Sequence, residues 1–193
     1  MVTNSFSEKV INWYELHGRH DLQWRKAITP YRIWISEIML QQTQVVTVKP
    51  YFKKFIKKYP TLKSIQDASE DEILTLWSGL GFYKRARNIF QTKEIIHSEH
   101  KGRFPKTFEE IIKLPGIGKS TAGAIMSIAH QVPTPILDGN VKRILQRYFS
   151  DGKNVFSEKE LWNLSLSVSN ATNSNLFTQW IMDIGATICT PQN

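Results

Sequence analysis

Two carboxylates in this 193-residue chain, Glu37 and Asp138, have neighbours unlike those of ordinary surface charges. Glu37 stands among Ile33, Trp34, Ile38 and Met39, where a carboxylate either reaches water at the edge of an apolar stripe or serves as a general acid. Asp138 directly precedes Gly139-Asn140-Val141, a good helix N-cap position. Capping and chemistry are compatible there, because backbone N–H groups lower a carboxyl pKa and hold it anionic. Two carboxylates flanking a cleft can cleave a glycosidic bond through an oxocarbenium-like transition state, one protonating the leaving group while the other stays ionised. Applied to a nucleotide, the leaving group is a base, which must first be flipped out of its stack.

A grip on a bent backbone is legible in Leu114-Pro115-Gly116-Ile117-Gly118-Lys119-Ser120-Thr121-Ala122-Gly123. Pro115 cannot continue a preceding helix, the glycines permit positive φ and close approach, and a helix start with free N–H groups follows. The plain alternative is a connection between two helices. The net charge of +8 fits a polyanionic partner without requiring one. Lys84, Arg85 and Arg87 follow one glycine turn and Lys142, Arg143 and Arg147 follow Asp138, where a backbone-binding surface wants them. Gln41-Gln42-Thr43-Gln44 offers amides able to read base edges or fill a gap in a duplex.

The elements that position these residues read as helices. Capping boxes at Ser5/Glu8, Ser69/Glu72, Thr107/Glu110 and Ser157/Glu160, and Thr29-Pro30, mark helix starts. The spacing predicts helices over 5–17, 30–40, 45–59 in two pieces around Pro50 with Val46 inward, 61–68, 69–77, 82–100, 107 onward, 119–130, 139–149, 157 onward, and one near the C-terminus. Residues 19–26 are polar except for Leu22 and Trp24 and lead to Thr29-Pro30. No stretch alternates long enough for a strand, so the expected class is all-α. Prolines 133 and 135 and the 23–29 linker suggest a central domain, 28–133, carrying the hairpin element at 107–130. A second domain would be built from 1–27 plus 134–193, with the cleft between the two holding Glu37 and Asp138. The single cysteine, Cys189, forms no intramolecular disulfide and fits a reducing compartment. No run spans a bilayer and the start lacks signal-peptide character, so a cytoplasmic protein, in bacterial cytosol or with the nucleoid, is expected.

Trp34 to Gln44, Gly79 to Asn88, Leu114 to Ala122 and Ile136 to Arg143 together resemble the adenine DNA glycosylase (MutY) family of helix-hairpin-helix DNA glycosylases, over about Trp13 to Cys189. The resemblance implies two helical subdomains and removal of adenine mispaired with 8-oxoguanine or guanine in double-stranded DNA. Glu37 would protonate the adenine ring, Asp138 would stabilise the sugar cation, and Asn140 would orient water or substrate. Leu40 and Gln42 would insert into the duplex, Gln41 and Tyr83 would contact DNA, and Phe82 stands where the family commonly has tyrosine as a wedge. Arg85, Arg87, Leu114, Gly116, Gly118, Lys119, Ser120, Lys142 and Arg143 would contact DNA, with a monovalent cation at the hairpin. Trp24 and Arg25 would line the base pocket.

Serine at 120 replaces the lysine nucleophile of the related endonuclease III enzymes, so a monofunctional glycosylase is expected. Thymine glycosylases of the superfamily generally lack the Leu40 to Gln44 run. The family carries a 4Fe-4S cluster held by four cysteines. Cys189 resembles the first ligand and is otherwise a small buried residue, so no cluster is expected in this chain, nor the C-terminal 8-oxoguanine-recognition domain. The alternatives are a mismatch-binding module with weak or no catalysis, or another mismatch glycosylase of the superfamily. A monomer is expected.

Overall fold

A computed structural model describes residues 2–150, 152, 155–169 and 174–192; Met1 and Asn193 lie outside them. Its helices are α1 (Val2–His17), α2 (Gln23–Lys26), α3 (Pro30–Leu40), α4 (Val45–Lys58), α5 (Glu70–Trp77), α6 (Lys84–Glu99), α7 (Phe108–Ile111), α8 (Lys119–His130), α9 (Gly139–Phe149), α10 (Glu158–Ser169) and α11 (Ser174–Thr187). No strand occurs among the described residues, and the protein is all-α. Its contacts divide it into two compact units, Met1–His20 with Met126–Asn193, and Asp21–Ile125.

In the unit Asp21–Ile125, α3 packs against α4 and α6, α5 against the same two, and α2 against α3 and α4. α3 starts where Pro30 sets the first helical φ and the Thr29 hydroxyl accepts from the Arg32 N–H. It is buried nearly all round, through Ile33, Trp34, Ile35, Ser36, Ile38 and Met39, as a central helix must be. α4 departs from expectation: it runs unbroken through Pro50, because Val48, Phe52 and Phe55, spaced four and three apart, anchor one buried stripe on both sides of it. Val46, two residues before Val48, falls on the opposite side and is 71% exposed rather than inward. Residues 61–68 form turns instead of a helix. Thr61 and Ser64 exchange backbone-to-hydroxyl hydrogen bonds of 3.0 and 3.2 Å, a local pairing that competes with helix propagation, while Ile65 still enters the core.

In the other unit, α1 and α9 each pack against both α10 and α11. α1 begins at Val2, so Ser5 and Glu8 lie inside the helix and do not cap it. Phe6 fixes that early start by packing on Tyr148, Phe149 and Phe177, with ring centroids 4.6, 5.3 and 6.3 Å away. The Asp183 carboxylate, fully buried on α11, accepts from the Arg19 Nε at 2.8 Å, its Nη2 at 2.5 Å and its backbone N–H at 2.9 Å. The boxes at Ser69/Glu72 and Ser157/Glu160 form as expected, and the Thr107 hydroxyl accepts from the Glu110 N–H.

Candidate functional site

The hairpin between α7 and α8 is built on the backbone. Leu114 and Ile117 are buried and pin it down, while the Ile117 N–H donates to the Leu114 carbonyl at 3.1 Å to close the turn. Gly116 has φ +78, and a Cβ there would meet the Asn88 amide nitrogen at 2.4 Å, so conformation and space both demand glycine. Gly118 differs: nothing lies within 4 Å of its would-be Cβ, and its carbonyl accepts the Ala122 N–H at 2.9 Å as α8 begins. The exposed backbone of Gly118 therefore faces open space at a helix start. Lys119 is exposed and Ser120 half-buried. Leu114, by contrast, offers only its main chain, since its side chain belongs to the core.

Two further loops of the same unit carry the residues expected to enter a duplex. After α3 ends, Gln42 takes the left-handed φ of +56 and is exposed. Gln41 donates its side-chain amide to the Gly116 carbonyl at 3.1 Å, tying this loop to the hairpin. In the 79–83 loop Gly79 and Gly81 have positive φ, and so does Phe82, at +49. Phe82 is 57% and Tyr83 43% exposed, large apolar surface presented to solvent. Arg87 is exposed and reaches Glu70 at 3.4 Å.

Arg85 is a correction. Expected on DNA, it is 6% exposed, and its guanidinium donates to the carbonyls of Ile38, Met39, Gln41 and Gly81. Helical spacing holds the missed signal: Arg85 lies one turn before Ile89 and two before Thr92, on the stripe that α6 buries. Trp24 is likewise buried, its ring edge-on to Phe52 at 5.3 Å, so it is a core residue and leaves Arg25 as the half-buried member of that pair. The segment holding both is a short helix, α2, not a linker.

Glu37 is half-buried on α3 between fully buried neighbours. Asp138 belongs to the other unit and caps α9, its Oδ1 accepting from the Val141 N–H at 2.8 Å. The Asn140 backbone N–H and side-chain amide donate to it as well. The Asn140 orientation is fixed from behind: Arg143 donates to its Oδ1 at 2.8 Å, which turns the amide nitrogen towards Asp138. A Cβ on Gly185 would meet the Asn140 Cβ at 2.5 Å, so glycine on α11 makes room for that side chain. Arg143 also donates to the Gly139, Gly185 and Cys189 carbonyls, which corrects its expected assignment to DNA; Lys142 beside it is exposed. The expectation for the Asp138 carboxyl also reverses. Its pKa is raised above the ordinary value, because the desolvation of burial outweighs the N–H donors that lower it.

The Cys189 sulfur accepts from Arg147 at 3.4 Å. Among the described residues no group of three or more His, Cys, Asp or Glu side chains converges to hold a metal, and one thiolate supplies a quarter of a four-cysteine cluster site. The residues present therefore do not fit a 4Fe-4S cluster. No helix among the described residues is long and apolar enough to cross a membrane.

A helical bundle with a glycine hairpin feeding α8, and an aspartate capping the next helix, defines the helix-hairpin-helix glycosylase fold. Residues 35–166 match the HhH-GPD superfamily of base excision DNA repair proteins, and the chain belongs to that family. It is 52% identical over 191 residues to the adenine DNA glycosylase of Buchnera aphidicola subsp. Schizaphis graminum (strain Sg), covering 97% of this chain and 55% of that protein. It is 53% identical over 187 residues to the adenine DNA glycosylase of Buchnera aphidicola subsp. Acyrthosiphon pisum (strain APS), covering 95% and 53%. The chain thus spans about half the length of the curated relatives it matches. A solved thermostable thymine-DNA glycosylase superposes with a TM-score of 0.89 at 28% identity, covering 99% of this chain and 89% of that one.

Proposed function

We propose that this chain hydrolyses the N-glycosidic bond of adenine mispaired with 8-oxoguanine or guanine, leaving an abasic site in an uncut strand. The observation that carries this reading is Asp138, a carboxylate held at the start of α9 by the Val141 and Asn140 donors. In the proposed reaction Glu37 gives a proton to the adenine ring and the C1′–N bond breaks with its electron pair leaving on the base. Asp138, ionised, stabilises the cation left on the sugar. Water oriented by Asn140 then adds to C1′ and loses its proton. Gln42, Leu40, Phe82 and Tyr83 enter the duplex to hold the nucleotide out, Arg25 lines the base pocket, and the backbone of Gly116 to Ser120, with a monovalent cation, takes a phosphate. Lys119, Lys142 and Arg87 add salt-sensitive backbone contacts. The protein acts as a monomer in the cytoplasm.

Ser120 supports the hydrolytic rather than strand-cutting outcome, because a hydroxyl forms no Schiff base with the sugar. Lys119 is one helical step, about 100°, away from that direction.

The test uses protein in excess over a labelled duplex with adenine opposite 8-oxoguanine, beside Asp138→Asn. Strand breaks that appear only after alkali and vanish in the variant are expected. Breaks without alkali overturn the monofunctional reading, and binding without base release makes the chain a recognition module. A second reading, action on a thymine mispair, has the thymine-DNA glycosylase superposition in its favour; a duplex with thymine opposite guanine in the same assay separates the two.

A further inference from the structure

Two residues proposed to enter the duplex, Gln42 and Phe82, have left-handed backbones although neither is glycine. For a phenylalanine that conformation is strained and persists only where its surroundings enforce it. Each stands directly after a carbonyl that accepts from Arg85, although the Gly81 carbonyl also accepts from Trp77 Nε1 at 3.0 Å and the Gln41 carbonyl from the Thr43 hydroxyl at 3.4 Å. Arg85 Nη1 donates to the Gln41 carbonyl at 2.5 Å and Arg85 Nη2 to the Gly81 carbonyl at 3.2 Å. The same Nη1 reaches the Ile38 and Met39 carbonyls at 3.2 and 2.7 Å, so the guanidinium also closes the C-terminus of α3, where a cation is favoured. The fork lies near the faces of Trp77 and Phe82, its carbon 5.5 and 5.2 Å from their ring centroids.

We infer that Arg85 is a positioning residue that clamps the 41–44 and 79–83 loops into one preformed two-pronged wedge, rather than a DNA contact. A buried cation is costly to retain unless its donors are used; Nε has no partner among the described residues, and the two terminal nitrogens are spent on the end of α3 and on the peptide preceding each strained residue. Gln41 extends the device, since its carbonyl is held by Arg85 while its side-chain amide holds the Gly116 carbonyl of the hairpin. Lysine cannot replace the clamp, because a point charge lacks the planar fork that serves two loops from two nitrogens. The functional half of this inference rests on the proposed reaction; the structural half does not.

The experiment measures amide hydrogen exchange of the free protein and of Arg85→Lys and Arg85→Gln. Thr43, whose N–H is bonded to the Leu40 carbonyl, and Arg87, bonded to the Tyr83 carbonyl, report the two loops; Ala122, bonded to Gly118, is the control. Both loop reporters should exchange at least about tenfold faster in each variant while Ala122 changes by less than about threefold. Unchanged loop exchange, or equal acceleration at all three amides, overturns the clamp whether or not the chain releases a base. With mismatched duplex and saturating protein, Arg85→Lys should release base at least about tenfold more slowly, with affinity within about threefold and an unchanged salt slope. Weakened binding with a slope reduced by about one would return Arg85 to a phosphate contact. Failure of the parent protein to release any base defeats the proposed reaction and leaves the exchange result to decide the clamp.

Discussion

The starts of α8 and α9 carry the same partial positive charge and spend it differently. α8 begins from Gly118, which has no side chain to offer and opens onto free space. α9 begins from Asp138, whose own carboxylate occupies the N–H groups and is itself steadied by Asn140 and Arg143. One helix start brings no side chain at Gly118, the arrangement that the proposed phosphate contact requires, and the other fixes an anion belonging to the chain. The glycine start is defined by what is absent, so adding atoms tests it. The aspartate start is tuned by charge, so removing charge harms it while leaving the cap.

The largest expected effect tests the charge. Asp138→Asn keeps an N-cap acceptor, since asparagine caps as well as aspartate, and base release in single turnover should fall by at least about 10²–10³-fold with no loss of Tm. A similar loss of both activity and stability would mean that Asp138 serves mainly as a cap. Next, the two hairpin glycines should part company. Gly116→Ala strains a positive φ and drives a Cβ into Asn88, so urea unfolding should show a loss of about 1–3 kcal/mol. Gly118→Ala should change stability by less than about 0.5 kcal/mol. Gly118→Ala should nevertheless weaken duplex binding several-fold at low salt, because the added methyl stands where a phosphate would approach; unaltered binding would remove Gly118 from the interface.

The smallest effect is in pH. Asp138 titrates higher folded than unfolded, so the folded chain holds its proton more tightly. Its contribution to stability is therefore fully present below the unfolded carboxyl value and is lost as pH rises through the raised folded value. A neutral amide at this position carries no such burden, so the Tm of Asp138→Asn should exceed that of the parent most at neutral pH, and the gap should narrow in acid. A gap that widens in acid would mean the N–H donors outweigh burial.

The helix starts at Thr29-Pro30, Ser69, Thr107, Lys119, Asp138 and Ser157 were legible because caps act over three or four residues. Ser5/Glu8 misled because the same four residues also fit inside a helix, and Phe6 packing on α9 and α11 carries the helix back to Val2. The 61–68 turn failed for a similar reason, two hydroxyls outbidding the helix ladder locally. At the candidate site the residue types were legible and their environments were not. Arg85 and Arg143 read as basic surface, yet both spend their donors on carbonyls of segments distant in the sequence.

By itself the sequence determined the helical class, most helix starts, the glycine hairpin and the two carboxylates, since capping, periodicity and backbone permissiveness are properties of short stretches. Only tertiary structure decided that Pro50 leaves α4 intact, that Arg85 is buried under the Gln42 and Phe82 loops, and that Asp138 titrates upward. Those outcomes depend on which distant atoms exclude water and which carbonyls await a donor, and neither is fixed until the chain has packed.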